Sequence, residues 1–285
     1  MQRKENGEKE SMKGFGYLLK NFFTHKDFIA EDVRAGLVPG TMFTPLHFIF
    51  SALVLAAVIT FAVLLGKTKN EKKIKTVFTI VWALMVILEA VKIVWESVSG
   101  KTVRFEVGGI LPLYPCSVFM YAMPFAIWGK DYVKRSACGY VCTMGMIGAT
   151  VNFVYPATIL PNYSCISFAG FHTFFYHGAM MFCCLAMLVS GYHRYTHVKT
   201  WWEPFLAAIP LLIVSIPANI VNYSPINSDY MFFKCYMEPF ASIFGALPDP
   251  ATTVIFYLIY IIVPACFYLP SFISQKIKLH KKIEA

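Results

Sequence analysis

The residue with the clearest chemical potential is Cys116, which follows two prolines in the stretch LPLYPCSVFMYAMP at residues 111–124. Proline is tolerated in the first turn of a helix, so we predict that Cys116 lies at the start of a helix. A helix start favours a negatively charged sulfur, and a neighbouring histidine can remove the thiol proton. The chemistry that this pattern predicts is nucleophilic acyl transfer on an ester. The alternative is that Cys116 is a small buried apolar side chain, which is common for free cysteine.

Two histidines in the stretch FHTFFYHGAMM, residues 171–181, are candidates for the general base. They lie about 140° apart on a helix, so both cannot face one narrow site. From the predicted start of the helix, His177 lies about 10 Å down and His172 about 3 Å down. Because we expect Cys116 about one turn down, we predict the catalytic pair Cys116 and His177, with His177 later protonating the leaving alkoxide. Either histidine could instead be an ordinary interfacial residue.

Further polar residues are predicted to lie at the same membrane level and to bind substrate or support the pair: Glu89, Lys92, His172, Asn219, Asn222, Asp229 and Tyr230. Charges inside a membrane are costly and usually functional, although Glu89 and Lys92 could simply neutralise each other across one helical turn. Backbone N–H groups near Cys116, or Asn222, are candidates for stabilising an oxyanion. We predict no metal and no cofactor. Cys138 and Cys142 share a helix face, but no histidine or acid in that segment completes a metal-binding set.

The composition indicates an integral membrane protein. Of the 285 residues, 57% are hydrophobic and only 14% are charged, whereas soluble domains carry about 25% charged residues. The net charge of +9 would suggest nucleic acid in a soluble protein. Here the basic residues cluster in loops and tails, which is typical of membrane orientation and argues against a nucleic-acid partner.

The predicted fold is all-α, with seven transmembrane helices and a short amphipathic segment near the amino terminus. Apolar runs long enough to cross a bilayer predict the spans 47–66, 76–98, about 113–129, 136–155, 171–190, 203–222 and 251–274. We therefore divide the chain into a tail at 1–46, a transmembrane domain at 47–274 and a basic tail at 275–285. Within the first tail, residues 14–28 mix aromatic and basic side chains, as in a helix lying on a membrane surface; a solvated linker is the alternative.

The loop charges predict the orientation. One side carries most of the basic residues: Lys67, Lys69, Lys72, Lys73, Lys75, Lys130, Lys134, Arg135, Arg194, Lys199, Lys276, Lys278, Lys281 and Lys282. The positive-inside rule makes this side cytoplasmic, with the amino terminus outside and the carboxyl terminus inside. Cys116, both histidines and the asparagines then belong to the outer half of the bundle.

Three stretches, in the same order, resemble a known family. LPLYPCSVFMYAMP, FFYHGAMM and NSDYMFFKCYMEPFASIFGALPDP are similar to the conserved stretches of the YwaF-like integral membrane proteins of bacteria, which are related to the transmembrane protein 164 family. The resemblance covers about residues 45–275. It implies a seven-helix fold in a bacterial plasma membrane, Cys116 as nucleophile and His177 as base.

Animal members of this family are proposed cysteine acyltransferases, so the resemblance implies phospholipid or lysophospholipid as partner. The sequence departs from the bacterial motif in three places: Tyr114 replaces a histidine, Pro115 a leucine and Asp229 an asparagine. Two hypotheses follow. The first is a Cys–His acyltransferase or hydrolase that acts on lipid esters from the outer leaflet. The second is a solute- or ion-binding protein, a transporter or receptor, whose pocket holds Glu89, Lys92 and the histidines.

Overall fold

The computed structural model describes residues 21–103, 110–195, 203–224, 228–236 and 240–283. Every regular element within these residues is a helix, which confirms the predicted all-α polytopic class. Six of the described helices are long and apolar enough to cross a membrane, and one further apolar helix is shorter.

The described helices follow in the order α1 (Lys26–Arg34), α2 (Pro45–Lys67), α3 (Glu71–Val98), α4 (Val118–Trp128), α5 (Asp131–Val154), α6 (Phe168–Ser190), α7 (Glu203–Asn222), α8 (Phe240–Phe244) and α9 (Asp249–Ile283). Helix α5 contains a π-helical turn at Val141–Gly145, and α7 opens with 3-10 turns at Glu203–Ala208. Each predicted span falls on one of these helices, and α9 extends furthest beyond its prediction.

Local sequence signals determine where three of the spans begin. The side chains of Thr44, Asn70 and Ser167 each accept a hydrogen bond from a backbone amide in the first turn of α2, α3 and α6, respectively. Such caps satisfy amides that have no partner within the helix. Helix α6 ends at Gly191, whose φ of 75° is the left-handed conformation that stops many helices.

Helix α6 occupies the centre of the bundle, where it packs against α2, α3 and α5. Its buried residues surround nearly the whole circumference of the helix, including Phe174, Met180 and Cys184. Helices α2 and α3 instead expose large apolar side chains such as Phe61 and Ile87, as expected for helices in contact with lipid.

The third predicted span contains only a short helix. Lys134 Nζ, six residues after the end of α4, lies 3.4 Å from Glu71 Oε1 at the start of α3, so the end of α4 lies near the level where α3 begins. Helix α4 has 11 residues, about 16 Å, whereas the hydrocarbon core is about 30 Å thick. Non-helical backbone at residues 111–117 precedes it, where the sequence predicted one continuous span from about 113. Pro112 and Pro115 account for the difference, because proline does not fit a helix interior.

The described part of the amino-terminal tail packs on the carboxyl-terminal end of α3. Lys26 Nζ lies 2.7 Å from Glu96 Oε1, and helix α1 buries Ile29 and Val33 against Tyr163. Residues 14–20 of the predicted amphipathic segment lie outside the described residues. The boundaries of the tails and the sidedness of the protein stay predictions.

Candidate functional site

Cys116 lies in a turn that immediately precedes α4, slightly ahead of its predicted place in the first helical turn. The helix begins at Val118, with Ser117 in the capping position. The backbone amides of Ser117 and Val118 donate to the Tyr114 carbonyl at 2.9 and 3.2 Å. These two amides are therefore already engaged, which weakens their candidacy as oxyanion donors.

Two tyrosines from neighbouring helices bind the backbone around Cys116. The Tyr176 hydroxyl of α6 donates to the Cys116 carbonyl at 3.4 Å, and the Tyr140 hydroxyl of α5 donates to the Pro115 carbonyl. Irregular backbone at membrane depth is tolerated only where protein or a cavity satisfies its polar groups. The tyrosines meet this requirement and hold the cysteine-bearing turn between α5 and α6.

The exposure and surroundings of Cys116 differ from those of most cysteines in the chain. Cys116 is half-buried and Cys266 is exposed, whereas the other six cysteines are buried. Its side chain packs against the hydrophobic core, and Glu89 and Lys92 lie within electrostatic range of its sulfur. The Lys92 cation favours the thiolate form of Cys116, whereas burial and the Glu89 carboxylate oppose it.

Glu89 connects α3 to α6. Its Oε2 atom lies 3.1 Å from His172 Nε2, and its Oε1 atom lies 3.8 Å from Lys92 Nζ. The Glu89 oxygen is not aligned with the N–H direction of the His172 ring, so this contact is electrostatic and is not a straight hydrogen bond. Glu89 therefore contacts His172 as well as Lys92, and the predicted ion pair with Lys92 is only one of these two contacts.

His177 has a defined tautomer. Its Nδ1 atom lies 2.8 Å from the Thr173 carbonyl, which can only accept, so Nδ1 carries the proton and Nε2 is left as the basic nitrogen. Both His172 and His177 are buried, although the sequence placed them far apart around the helix. This is possible because α6 is enclosed by protein on most sides.

The five residues form one electrostatic cluster around Glu89. Besides His172 and Lys92, Glu89 acts on His177 and on Cys116. Within the described residues, no hydrogen bond joins the Cys116 sulfur to either histidine. The sequence predicted these five residues as site residues but did not predict that Glu89 lies at the centre of the cluster.

The membrane depths of the cluster agree. Glu89 lies nine residues before the end of α3 and His177 nine residues after the start of α6, so each is about 14 Å from that end of its helix. Cys116 precedes a helix that is about 16 Å long, which is about half the thickness of a bilayer core.

The third stretch of the family resemblance also reaches the cysteine-bearing turn. The Tyr230 ring centroid lies 5.4 Å from that of Tyr114, two residues before Cys116. Asp229 shapes this loop, because its two carboxylate oxygens accept from the backbone amides of Lys234 and Tyr236, both at 2.8 Å. Burial nevertheless raises the pKa of Asp229 above its ordinary value.

The same loop holds unusual backbone. Met231, Phe232 and Cys235 have φ values of 57°, 57° and 55°, in the left-handed region that residues other than glycine rarely adopt. The Tyr260 hydroxyl donates to the Met231 carbonyl at 2.6 Å and helps hold this conformation. Strained backbone of this kind clusters at functional sites.

Asn219 and Asn222 lie at the end of α7. The Asn222 side chain is fully buried, and neither of its polar atoms has a partner among the described residues; the same is true of Asn219 Oδ1. No group of three or more histidine, cysteine or acidic side chains in the described part of the chain is arranged to hold a metal ion.

Comparison with known proteins gives one result. A family model described as the TMEM164 family matches residues 42–272 of the chain. No curated protein and no solved structure matches it significantly. The matched region contains the cysteine-bearing turn, the Glu89 cluster and the Asp229 loop.

Proposed function

Because the chain belongs to the TMEM164 family, we propose that it is a membrane-embedded enzyme that breaks and forms lipid esters through an acyl thioester on Cys116. The observation that carries the proposal is a half-buried cysteine in irregular backbone, held by Tyr140 and Tyr176 beside a buried charge cluster. A packing cysteine needs none of these features, and six other cysteines of this chain are simply buried.

In the proposed first step, the thiolate of Cys116 attacks the carbonyl carbon of a lipid ester. His177 Nε2 takes the thiol proton, either directly after the turn closes on substrate or through one water molecule. The C–O bond to the alcohol breaks, and the leaving alkoxide receives that proton from the imidazolium. The products are an acyl thioester and a free alcohol, and charge is balanced throughout.

Glu89 and His172 are assigned a supporting role in this proposal. The carboxylate lies between His172 and Lys92 and acts on His177. A negative charge at this place stabilises the imidazolium that forms during proton transfer. Lys92 offsets the opposing effect of Glu89 on the Cys116 thiolate.

The lipid substrate class follows from depth and surroundings. The cluster lies within a bundle whose outer faces are apolar, so a substrate that partitions into the bilayer reaches it laterally. An ester of a long-chain acyl group has both the apolar body and the electrophilic carbonyl that this arrangement needs.

Replacement of Cys116 tests the proposal. The full chain is reconstituted in phosphatidylcholine vesicles with p-nitrophenyl decanoate as the ester, and p-nitrophenol release is measured. Cys116→Ala is expected to lower the rate by about 10³-fold or more, as loss of a nucleophile does. The matched control is Cys183→Ala, which removes a buried thiol from α6 and is expected to keep most of the activity. Equal rates for both variants and the parent protein would overturn the proposal.

A second function is favoured by the buried charges alone. Glu89, Lys92 and His172 also suit a binding site for a polar solute or a proton path. In that case Glu89→Gln changes solute flux into sealed vesicles, whereas Cys116→Ala has no effect. Ester turnover that depends on Cys116 distinguishes the two functions.

A further inference from the structure

A small cavity lies between helix ends at the predicted cytoplasmic end of the bundle. Its volume is about 20 Å³, which is enough for a group the size of a water molecule or a phosphate oxygen. Its polar lining consists of Arg135, His193, Arg194, Glu203 and Tyr268. None of these residues belongs to the Glu89 cluster, and neither the sequence analysis nor the proposed function uses them.

The packing of helix ends forms this cavity. The start of α5 packs against the start of α7, and the start of α7 also packs against α9. Helix α6 ends at Gly191, and the His193 amide then donates back to the Met187 carbonyl at 3.2 Å. A Cβ atom at Gly191 would lie 2.9 Å from the Arg194 guanidinium, so glycine lets that guanidinium lie against the end of α6. The chain therefore folds over the helix end and brings His193 and Arg194 to the cavity.

Two polar pairs in the lining are complete. Arg135 Nη2 lies 3.1 Å from Glu203 Oε1, and the Glu203 side chain is only 7% exposed. His193 Nε2 lies 2.9 Å from the Tyr268 hydroxyl, and both residues are buried. Because Arg135 neutralises Glu203, the cavity does not repel an anion as a lone carboxylate would.

The lining keeps donors and positive charge beyond these pairs. Arg135 has five N–H groups and directs one nitrogen to Glu203. Arg194 is exposed, and within the described part of the chain it forms no hydrogen bond and no ion pair. Among the charged side chains of the lining, the two arginines exceed the single glutamate by one positive charge. The cavity therefore suits an anion whose oxygens accept hydrogen bonds.

The depth and size of the cavity select a phosphate group. Arg135 lies four residues after the start of α5, and Arg194 lies four residues after the end of α6, so both belong to the headgroup level. Arginine forms paired N–H···O bonds with phosphate, and basic pockets between transmembrane helices bind lipid headgroups. A phosphodiester carries one negative charge, which matches the excess positive charge. The cavity admits its oxygens and leaves the rest of a headgroup outside.

We propose that Arg135 and Arg194 bind a phosphate group in this cavity. The Tyr268 hydroxyl is a further donor when His193 Nε2 supplies the proton of their shared hydrogen bond. The phosphate belongs either to an anionic phospholipid of the adjacent leaflet or to free phosphate, because both present the same oxygens. The site is separate from Cys116 and does not depend on the proposed ester chemistry.

Thermal unfolding of the full chain in phosphate-free detergent tests the site. The additions are dioctanoylphosphatidylglycerol, inorganic phosphate, and dioctanoylglycerol, which has the same chains but no phosphate. A bound phosphate compound is expected to raise the melting temperature by roughly 5–10 °C at about 100 times its Kd, because it binds only the folded protein. A rise with the phospholipid alone assigns a lipid headgroup, whereas an equal rise with inorganic phosphate assigns free phosphate. Dioctanoylglycerol should have no effect.

A matched pair of variants distinguishes the cavity from the general basic surface. Arg194→Gln is expected to weaken binding of the phosphate compound by about tenfold or more, because a charge-assisted hydrogen bond is lost. Without ligand its melting temperature should stay within about 2 °C of the parent, since Arg194 is exposed. Lys130→Gln removes the same charge from an exposed residue at the same end of the bundle and should leave binding unchanged.

Four results would overturn the proposal. The first two are no rise with either phosphate compound and an equal rise with dioctanoylglycerol. The third is an unchanged Kd in Arg194→Gln. The fourth is an equal weakening in Lys130→Gln and Arg194→Gln, which would indicate attraction to the basic surface as a whole.

Discussion

The replacement Glu89→Gln removes the charge at the centre of the cluster while keeping the size of the side chain. The Glu89 side chain is 13% exposed and lies 3.1 Å from His172, whose side chain is 7% exposed, and 3.8 Å from Lys92, whose side chain is 24% exposed. Lys92 can move its charged end toward the interface when its partner is lost. The His172 side chain is shorter and more buried and cannot move in this way. We therefore expect most of the loss in the free energy of unfolding to arise from the contact between Glu89 and His172.

The magnitude follows from these differences in exposure. Loss of a partner in a buried charge pair costs about 3–5 kcal/mol in soluble proteins. Hydrogen-bond pairs inside membranes average about 0.6 kcal/mol, because the reference state in lipid also finds partners. An intermediate loss of about 2 kcal/mol is therefore expected for Glu89→Gln, which corresponds to a melting temperature lower by roughly 4–8 °C.

The assay is thermal unfolding of the detergent-solubilised protein, with a double-mutant cycle between Glu89→Gln and His172→Gln. A coupling energy of about 1 kcal/mol is expected for this pair, and a smaller one for Glu89→Gln with Lys92→Met. The control is Glu71→Gln on the same helix; its carboxylate is 61% exposed and pairs with Lys75 at 3.0 Å, so about 0.5 kcal/mol or less is expected. Zero coupling between Glu89 and His172, or an equal loss in Glu71→Gln, would refute the cluster.

Three further predictions concern other parts of the fold. The Lys101 amide donates to Asp27 at 3.0 Å and holds the pKa of Asp27 below its usual value. Asp27→Asn should therefore lower the melting temperature at pH 7. The difference between the variant and the parent should vanish toward pH 2, because the parent carboxylate is then protonated. A methyl group at Gly170 would overlap the preceding backbone, so Gly170→Ala should cost about 1–3 kcal/mol in thermal unfolding, whereas Gly148→Ala meets an ordinary contact and should not. In sealed cells, a membrane-impermeant maleimide should label Lys101→Cys but reach Lys72→Cys only after lysis; the reverse pattern would contradict the predicted orientation.

Much of the fold could be predicted because hydropathy depends only on local sequence. The apolar runs located the six helices of membrane length and the shorter α4. The caps at Asn70 and Ser167 start α3 and α6 at Glu71 and Phe168, earlier than the predicted 76 and 171. The short α4 was the exception, because its length depends on Tyr140 and Tyr176 binding the carbonyls of a broken segment. Such contacts join helices that are distant in sequence, and no local pattern predicts them.

The residues of the candidate site could be predicted from the sequence, but the contacts between them could not. Membrane level follows from residue counts along each helix, so Cys116, Glu89 and His177 could be grouped. Which groups touch depends on helix rotation and packing, so the contact between Glu89 and His172 became visible only in the structure. The unpartnered state of Asn222 was equally inaccessible, since the sequence does not show what surrounds a buried amide.

The position of the acyl group during turnover shows whether Cys116 is the nucleophile. The full chain is quenched in acid while it hydrolyses p-nitrophenyl decanoate, and its peptides are mapped by mass spectrometry before and after neutral hydroxylamine. We expect a decanoyl adduct on the peptide that contains Cys116, removed by hydroxylamine and absent from Cys116→Ser. An adduct on another cysteine, or continued turnover with Cys116 never acylated, would exclude Cys116 as the nucleophile.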